Sequence, residues 1–408
     1  MAVAIVSTFL AHRRTMDLFD NRYYKINKML LRIIGRWPYQ SPFEGRVFLT
    51  LLLILTGSQL IPQILGFIAV WGDMENFVEC MCPFGTAATC ATKLINIIYH
   101  DEDIKRLVTQ MQRDWENVLP GPETEILQRY SERGRKYTMA FTIYLYIAVT
   151  VFILGPVLPT FLENSAVNES LSSRLPYIAE YFIDTEKYFY HILVHSYVCS
   201  MAFVTIIIAN DAMFVVYLVH ACGKFAVLGY RLSHMTEYCK FDENDHQSFK
   251  TDDQAYRHIA NCVAVHKEAI QFADYIETSY STSLLLEVGQ CIVLMSVTGV
   301  QVLSNMDDPE KLSAYVSFIM GQLFHLFYSS WPSHEVMDHS TKICDSIYDG
   351  EWHRISIRAR KLLTLMMMRS LVPCKITAGK LYLMSMENFC SVLSTSMSYF
   401  TVLTSMQS

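Results

Sequence analysis

The sequence predicts an all-α membrane protein with seven transmembrane helices, and three observations carry that prediction. Of 408 residues, 52% are hydrophobic and only 18% charged, and the mean hydropathy is +0.22, so the chain is tilted away from water. The apolar residues stand in blocks about twenty residues long instead of being dispersed at helix or strand periods, which excludes a pair of soluble domains. A net charge of −6 leaves no bulk basic field for nucleic acid, so charge matters only through where it sits.

The elements follow in order. Residues 1–45 form an expected cytoplasmic segment in which Leu18 to Arg36 sets Phe19, Tyr23, Ile26, Met29, Leu30 and Ile33 against Arg22, Lys25, Lys28 and Arg32. That pattern predicts an amphipathic helix lying on membrane lipids. Arg13 and Arg14 interrupt the short apolar start, so no cleavable signal is expected. Apolar runs of spanning length are Arg46 to Trp71, Phe77 to Tyr99, Tyr137 to Pro159, Tyr190 to Val219, Ser281 to Leu303, Ser313 to Trp331 and Lys380 to Thr404. Residues 46–332 thus hold six spans, 333–379 a cytoplasmic helical anchor, and 380–408 the seventh span. Helical spacing from Gln254 to Tyr280 extends the fifth span beyond the membrane, and Cys239 to Asp253 reads as a polar loop.

Orientation comes from Lys and Arg. The loops expected inside carry 28 and the alternate loops three, which places the amino terminus in the cytoplasm and the carboxyl terminus outside. A seven-helix G-protein-coupled receptor has the opposite orientation. The sequon at Asn168 falls in a loop that this count places outside, so it is a candidate glycosylation site.

Enzyme and cofactor motifs are missing: no phosphate loop, dinucleotide fingerprint or nucleophile elbow occurs. His334 and His339 are five residues apart where helical metal ligation needs four. No metal and no cofactor are expected. Lys93 is expected to snorkel to the inner interface, and no charged midplane pair that would mark a transporter is apparent. Asn210 and Asp211 read as a structural acid with its partner, or as part of an ion pathway.

Two constellations remain. In the last span Glu387, Ser391, Ser394, Ser398, Thr401, Val402 and Ser405 recur at intervals of three and four, a narrow polar stripe on an apolar helix. Such hydroxyls can line a pore, or can bond to a neighbouring helix or to their own carbonyls. One stripe cannot enclose water, so a pore would need several copies around an axis, with Val402 as its apolar ring. The outer halves of the second, third, fourth and sixth spans are rich in bulky, weakly polar side chains; the candidate ligand-binding residues are Met81, Phe84, Tyr144, Ala148, Phe152, Cys199, Phe203, Tyr315, Phe318 and Ile319. For each alone, plain core packing is the competing reading.

The segments Tyr348 to Trp352, Arg360 to Ser370, Thr377 to Lys380 and Ser398 to Leu403, with Val265 to Ile270 before the fifth span, resemble those of insect odorant receptors, specifically the ligand-tuning subunits. The resemblance implies a plasma-membrane subunit that binds a small apolar odorant. It further implies a non-selective cation channel shared with odorant co-receptor subunits in a heterotetramer, four copies of the last helix around the pore, and subunit contact through residues 333–377. The short loop before the fifth span and Ser405 depart from the co-receptor's pattern, and Ser405-Met406 departs from that of gustatory receptors. The alternative is a seven-helix receptor that signals through a partner and has no pore of its own.

Overall fold

A computed structural model gives the fold, and it describes residues 18–72, 74–157, 175, 177–238 and 248–407. Asn168 and most of the expected loop after Cys239 lie outside the described residues, as does Pro159, the expected end of the third span.

A helix lies along each of the seven predicted spans. In chain order the elements are α1 (Lys25–Ile33), α2 (Pro42–Ala69), α3 (Met74–Tyr99), α4 (Asp101–Asn117), α5 (Pro122–Leu154), α6 (Phe189–Ser233), α7 (Ser248–Ser304), α8 (Pro309–Asp349), α9 (Ile357–Ser370) and α10 (Met386–Gln407). By length and composition α2, α5, α6 and the Gln254–Ser304 part of α7 are apolar enough to cross a membrane on their own. The spans carried by α3, α8 and α10 are more polar, and Lys93, His325 and the stripe from Glu387 to Ser405 lie on them.

α6 is the axis of the bundle. Every residue from Ala202 to Phe225 is buried, as expected of a helix that is apolar on nearly every face, and α5, α7, α8, α3 and α2 pack about it. Among its few polar groups, Asp211, His220 and Lys224 find partners on the neighbouring helices α3, α8 and α4. α7 runs 57 residues, so the predicted extension of the fifth span is present as one continuous helix.

The amino-terminal helix differs from expectation. It begins at Lys25, and Phe19, Tyr23 and Leu30 are buried against protein, with only Met29 and Ile33 of the predicted apolar face exposed. The cause lies on its flank: the Tyr24 hydroxyl meets Ser131 at 2.7 Å and Asn27 donates to Thr138 at 3.2 Å, polar contacts that tie it to α5.

The last span also starts later than Lys380. Thr377–Ala378 and Tyr382–Leu383 pair as a two-stranded hairpin, and both central turn residues, Gly379 and Lys380, have positive φ. A side chain at Gly379 would meet the Leu285 side chain at 2.4 Å, so glycine is needed there for both backbone and space. The hairpin docks on α7 through Gly379 N–H, which donates to the Ser281 carbonyl at 2.9 Å.

Candidate functional site

Between α2, α3, α5, α6 and α8 lies a cavity of about 150 Å³. One water needs roughly 10–15 Å³ of such space, so a small organic molecule fits. Its walls are mainly apolar: Leu145, Val149, Phe152 and Ile153 from α5, Phe203, Val204 and Ile207 from α6, Phe318 from α8 and Pro83 from α3. Pro83 removes a backbone donor in mid-helix, as Pro62 does in α2. The polar groups on the wall are Gln63, Thr86, Thr89, Tyr177, Ser200, Ser317, Gln322 and His325.

Of the sequence candidates, Ala148, Phe152, Phe203 and Phe318 line this cavity, and six do not. Phe84 instead stacks on Phe67 with ring centroids 5.4 Å apart. Tyr144 packs on Phe324 at 4.4 Å, and the Cys199 thiol meets the Leu55 carbonyl at 3.2 Å. Tyr315 is buried, and Met81 and Ile319 are half-buried away from the cavity. The cavity borders all four helices that composition pointed to, and α2 besides, but which face of each turns inward depends on neighbours that composition does not name.

A buried cluster that meets the cavity wall at His325 corrects two expectations. Lys93 does not snorkel to an interface: it is fully buried, its ammonium 2.7 Å from Asp211 and in contact with Glu287. His325 Nε2 lies 2.6 Å from Asp211 and 3.4 Å from Glu287, Asn210 donates to Asp211 at 2.9 Å, and Ser329 donates to Glu287 at 3.1 Å. A charged cluster within the membrane bundle therefore exists, joining α3, α6, α7 and α8, whereas the sequence suggested none. The reason is geometric: the four residues lie in four different helices, each isolated in its own apolar run. The structural-acid reading of Asp211 fits this placement, with Lys93 and His325 as its partners. Asp211, Glu287 and His325 offer ligand atoms within 4.8 Å of one another, the spacing of a metal site, but the Lys93 ammonium already stands among the carboxylates as their counter-charge. His334 and His339 are separate from it. His339 bonds the Tyr130 hydroxyl at 2.6 Å and His334 faces Asp338.

The last helix is the second candidate site. Glu387, Ser391, Ser394, Ser398, Thr401, Val402 and Ser405 are all exposed on the isolated chain. Val392 and Ser396, on the opposite face, are buried against α7. That packing is close: Ser296 donates to the Ser396 carbonyl at 3.1 Å, and a side chain at Gly299 would meet Phe400 at 2.9 Å. Three stripe hydroxyls bond back to their own helix: Ser398 to the Ser394 carbonyl at 2.9 Å, Thr401 to that of Ser398 at 2.8 Å and Ser405 to that of Val402 at 2.8 Å. A hydroxyl that donates in this way keeps its oxygen lone pairs as acceptors.

At the end of the bundle expected to be cytoplasmic, Asp114 of α4 binds two groups of α6, His220 at 2.9 Å and Lys224 at 2.8 Å, and Arg231 holds Glu123 at 2.6 Å. Burial pushes the Asp114 carboxyl up, but the His220 hydrogen bond and charge, then Lys224, outweigh it and hold the carboxyl below its ordinary range.

Comparison with known proteins agrees with this architecture. Odorant receptor 22c of Drosophila melanogaster is 21% identical over 400 residues, 94% of this chain and 96% of its own. Odorant receptor Or2 of Anopheles gambiae is 29% identical over 153 residues, a stretch that covers 36% of this chain and 39% of that receptor. The structure of the olfactory receptor OR5 from Machilis hrabei in complex with eugenol superposes with a TM-score of 0.78 at 15% identity, covering 94% of this chain and 97% of that one, and so shares the fold. Residues 73–397 match the family described as 7tm Odorant receptor, and with that match, on a bundle of seven spans, the chain belongs to the insect odorant receptor family.

Proposed function

We propose that this chain is a ligand-tuning subunit of an odorant-gated, non-selective cation channel in the plasma membrane, assembled with odorant co-receptor subunits. The observation that carries the reading is the stripe on α10: a helix of a membrane bundle that turns Glu387, four serines, Thr401 and Val402 away from its own core. Several such stripes around an axis make a hydroxyl-lined path with Val402 as its apolar constriction and Glu387 at the mouth beside the anchor. With the amino terminus inside, as the excess of 28 basic residues over three supports, that mouth is cytoplasmic. Leu365, Met368, Leu371 and Val372 at the end of α9 are exposed apolar side chains, which supports subunit contact through this region. A small apolar odorant then occupies the cavity among Phe152, Phe203 and Phe318.

Whole-cell recording from cells expressing the chain with and without the co-receptor, under G-protein blockade, tests this. Odour-evoked current that needs the co-receptor and survives the blocker is expected; current abolished by the blocker overturns the channel reading and favours a receptor that signals through a partner.

A further inference from the structure

We infer that His325 presents a hydrogen-bond donor to the cavity, so that the preferred ligand is an apolar molecule bearing one acceptor oxygen, a ketone, aldehyde or ester. The proposal rests on reading the cavity as the ligand site. His325 reaches the cavity wall while its Nε2 is spent on Asp211 and Glu287. Its ring stacks against Phe141 at 5.9 Å and 23°, which fixes its plane. Nδ1 is then the ring's remaining polar atom.

Which role Nδ1 plays follows from counting charges. The groups facing His325 are Lys93 with one positive charge and Asp211 and Glu287 with one negative charge each, all buried. With a neutral imidazole the cluster would hold an uncompensated negative charge inside the bundle, which is costly; an imidazolium makes it neutral. An imidazolium carries N–H on both nitrogens, so Nδ1 donates. A charge-assisted bond from it to a carbonyl oxygen is stronger than one between neutral groups, and the same charge repels an alkylammonium. The apolar part of the wall, with Leu145, Phe152, Phe203 and Phe318, accepts an alkyl chain. A second polar point on the wall is Gln63, whose buried Oε1 lacks a hydrogen-bond partner among the described residues.

The test uses the purified full-length chain and three probes of matched length, about seven carbons to suit the cavity: methyl pentyl ketone, n-heptane and heptylamine. Thermal unfolding reads binding without requiring a current, so ligand binding without current would count against the channel reading alone. The ketone is expected to stabilise the chain most. In the charge-balanced variant His325→Leu with Glu287→Gln, the ketone's affinity should fall about tenfold or more while that of heptane holds, the scale of one charge-assisted bond. Should that variant fail to fold, the infrared carbonyl stretch of the ketone bound to the unaltered chain decides: a shift to lower frequency relative to the ketone in hydrocarbon is expected. Equal binding of ketone and heptane, strongest binding of heptylamine, no binding of any probe, ketone preference surviving in the variant, or an unshifted carbonyl would each overturn the proposal.

Discussion

Lys93 is the residue on which the centre of the bundle turns. Its ammonium lies between two buried carboxylates, so replacing it by Met would leave Asp211 and Glu287 with only His325 as counter-charge. Breaking a buried pair in this way costs roughly 3–5 kcal/mol, most of it from the charge left behind. Lys93→Met should therefore lower the thermal midpoint of the purified chain sharply and reduce its surface level, and adding Glu287→Gln should recover part of the loss; a double variant no better than the single one would contradict the pairing. The two phenylalanines first grouped together by composition now separate. Phe318 lines the cavity and Phe84 stacks on Phe67 outside it, so Phe318→Ala should reorder the responses to a broad odour panel while Phe84→Ala leaves their order unchanged. A shift in both, or in neither, would place the ligand elsewhere.

At the scale of elements, α10 packs on α7, where Ser296 and Gly299 meet it directly, and on α8, where Phe327 meets Phe389. α8 also carries Phe318 and His325 of the cavity wall, so one helix touches both candidate sites. If the outward stripe lines a pore, Val402→Ala eases hydration of the constriction and should raise the unliganded current, diluted by the subunits that lack the change. Glu387→Gln should lower conductance without moving odour sensitivity; single-channel recording separates the two, and an unchanged baseline for Val402→Ala would assign the stripe to packing. Another junction between elements responds to acid. Asp114 ties α4 to α6, and its folded carboxyl is held below the ordinary value near 3.9, so the tie contributes stability above that pH and loses it as pH falls further. Thermal unfolding followed from neutral pH down to about pH 3 should show the loss below about pH 4, and Asp114→Asn should flatten that part of the curve.

At the scale of the whole molecule, the cavity and the exposed apolar end of the chain's helices are separate places. The cavity lies among α2, α3, α5, α6 and α8, while the far half of α8 with α9 forms a separate end bearing exposed Leu365, Met368, Leu371 and Val372. As a subunit contact, that end should tolerate charge badly only in the assembled state. Leu365→Glu with Met368→Glu is expected to abolish co-purification with the co-receptor while leaving the helical content and thermal midpoint of the isolated chain nearly unchanged, since both side chains are already exposed. Retained co-purification would move the contact elsewhere.

The sequence by itself determined the number and order of the spans, the helical extension of the fifth, the polar stripe from Glu387 to Ser405 and four of the five helices that border the cavity. These are legible because they are periodic or continuous along one chain segment: an apolar run of spanning length or a recurrence every three or four residues is a local property. The hairpin at Gly379 was visible only as a motif, because positive φ at two successive residues leaves little mark on composition. The tertiary structure alone decided that Lys93 is buried, that it meets Asp211, Glu287 and His325, that Phe318 faces the cavity while Phe84 does not, and that the stripe points away from its own core. Each of these depends on the rotation of one helix against another, set by close packing between residues far apart in the sequence, 194 positions for Lys93 and Glu287.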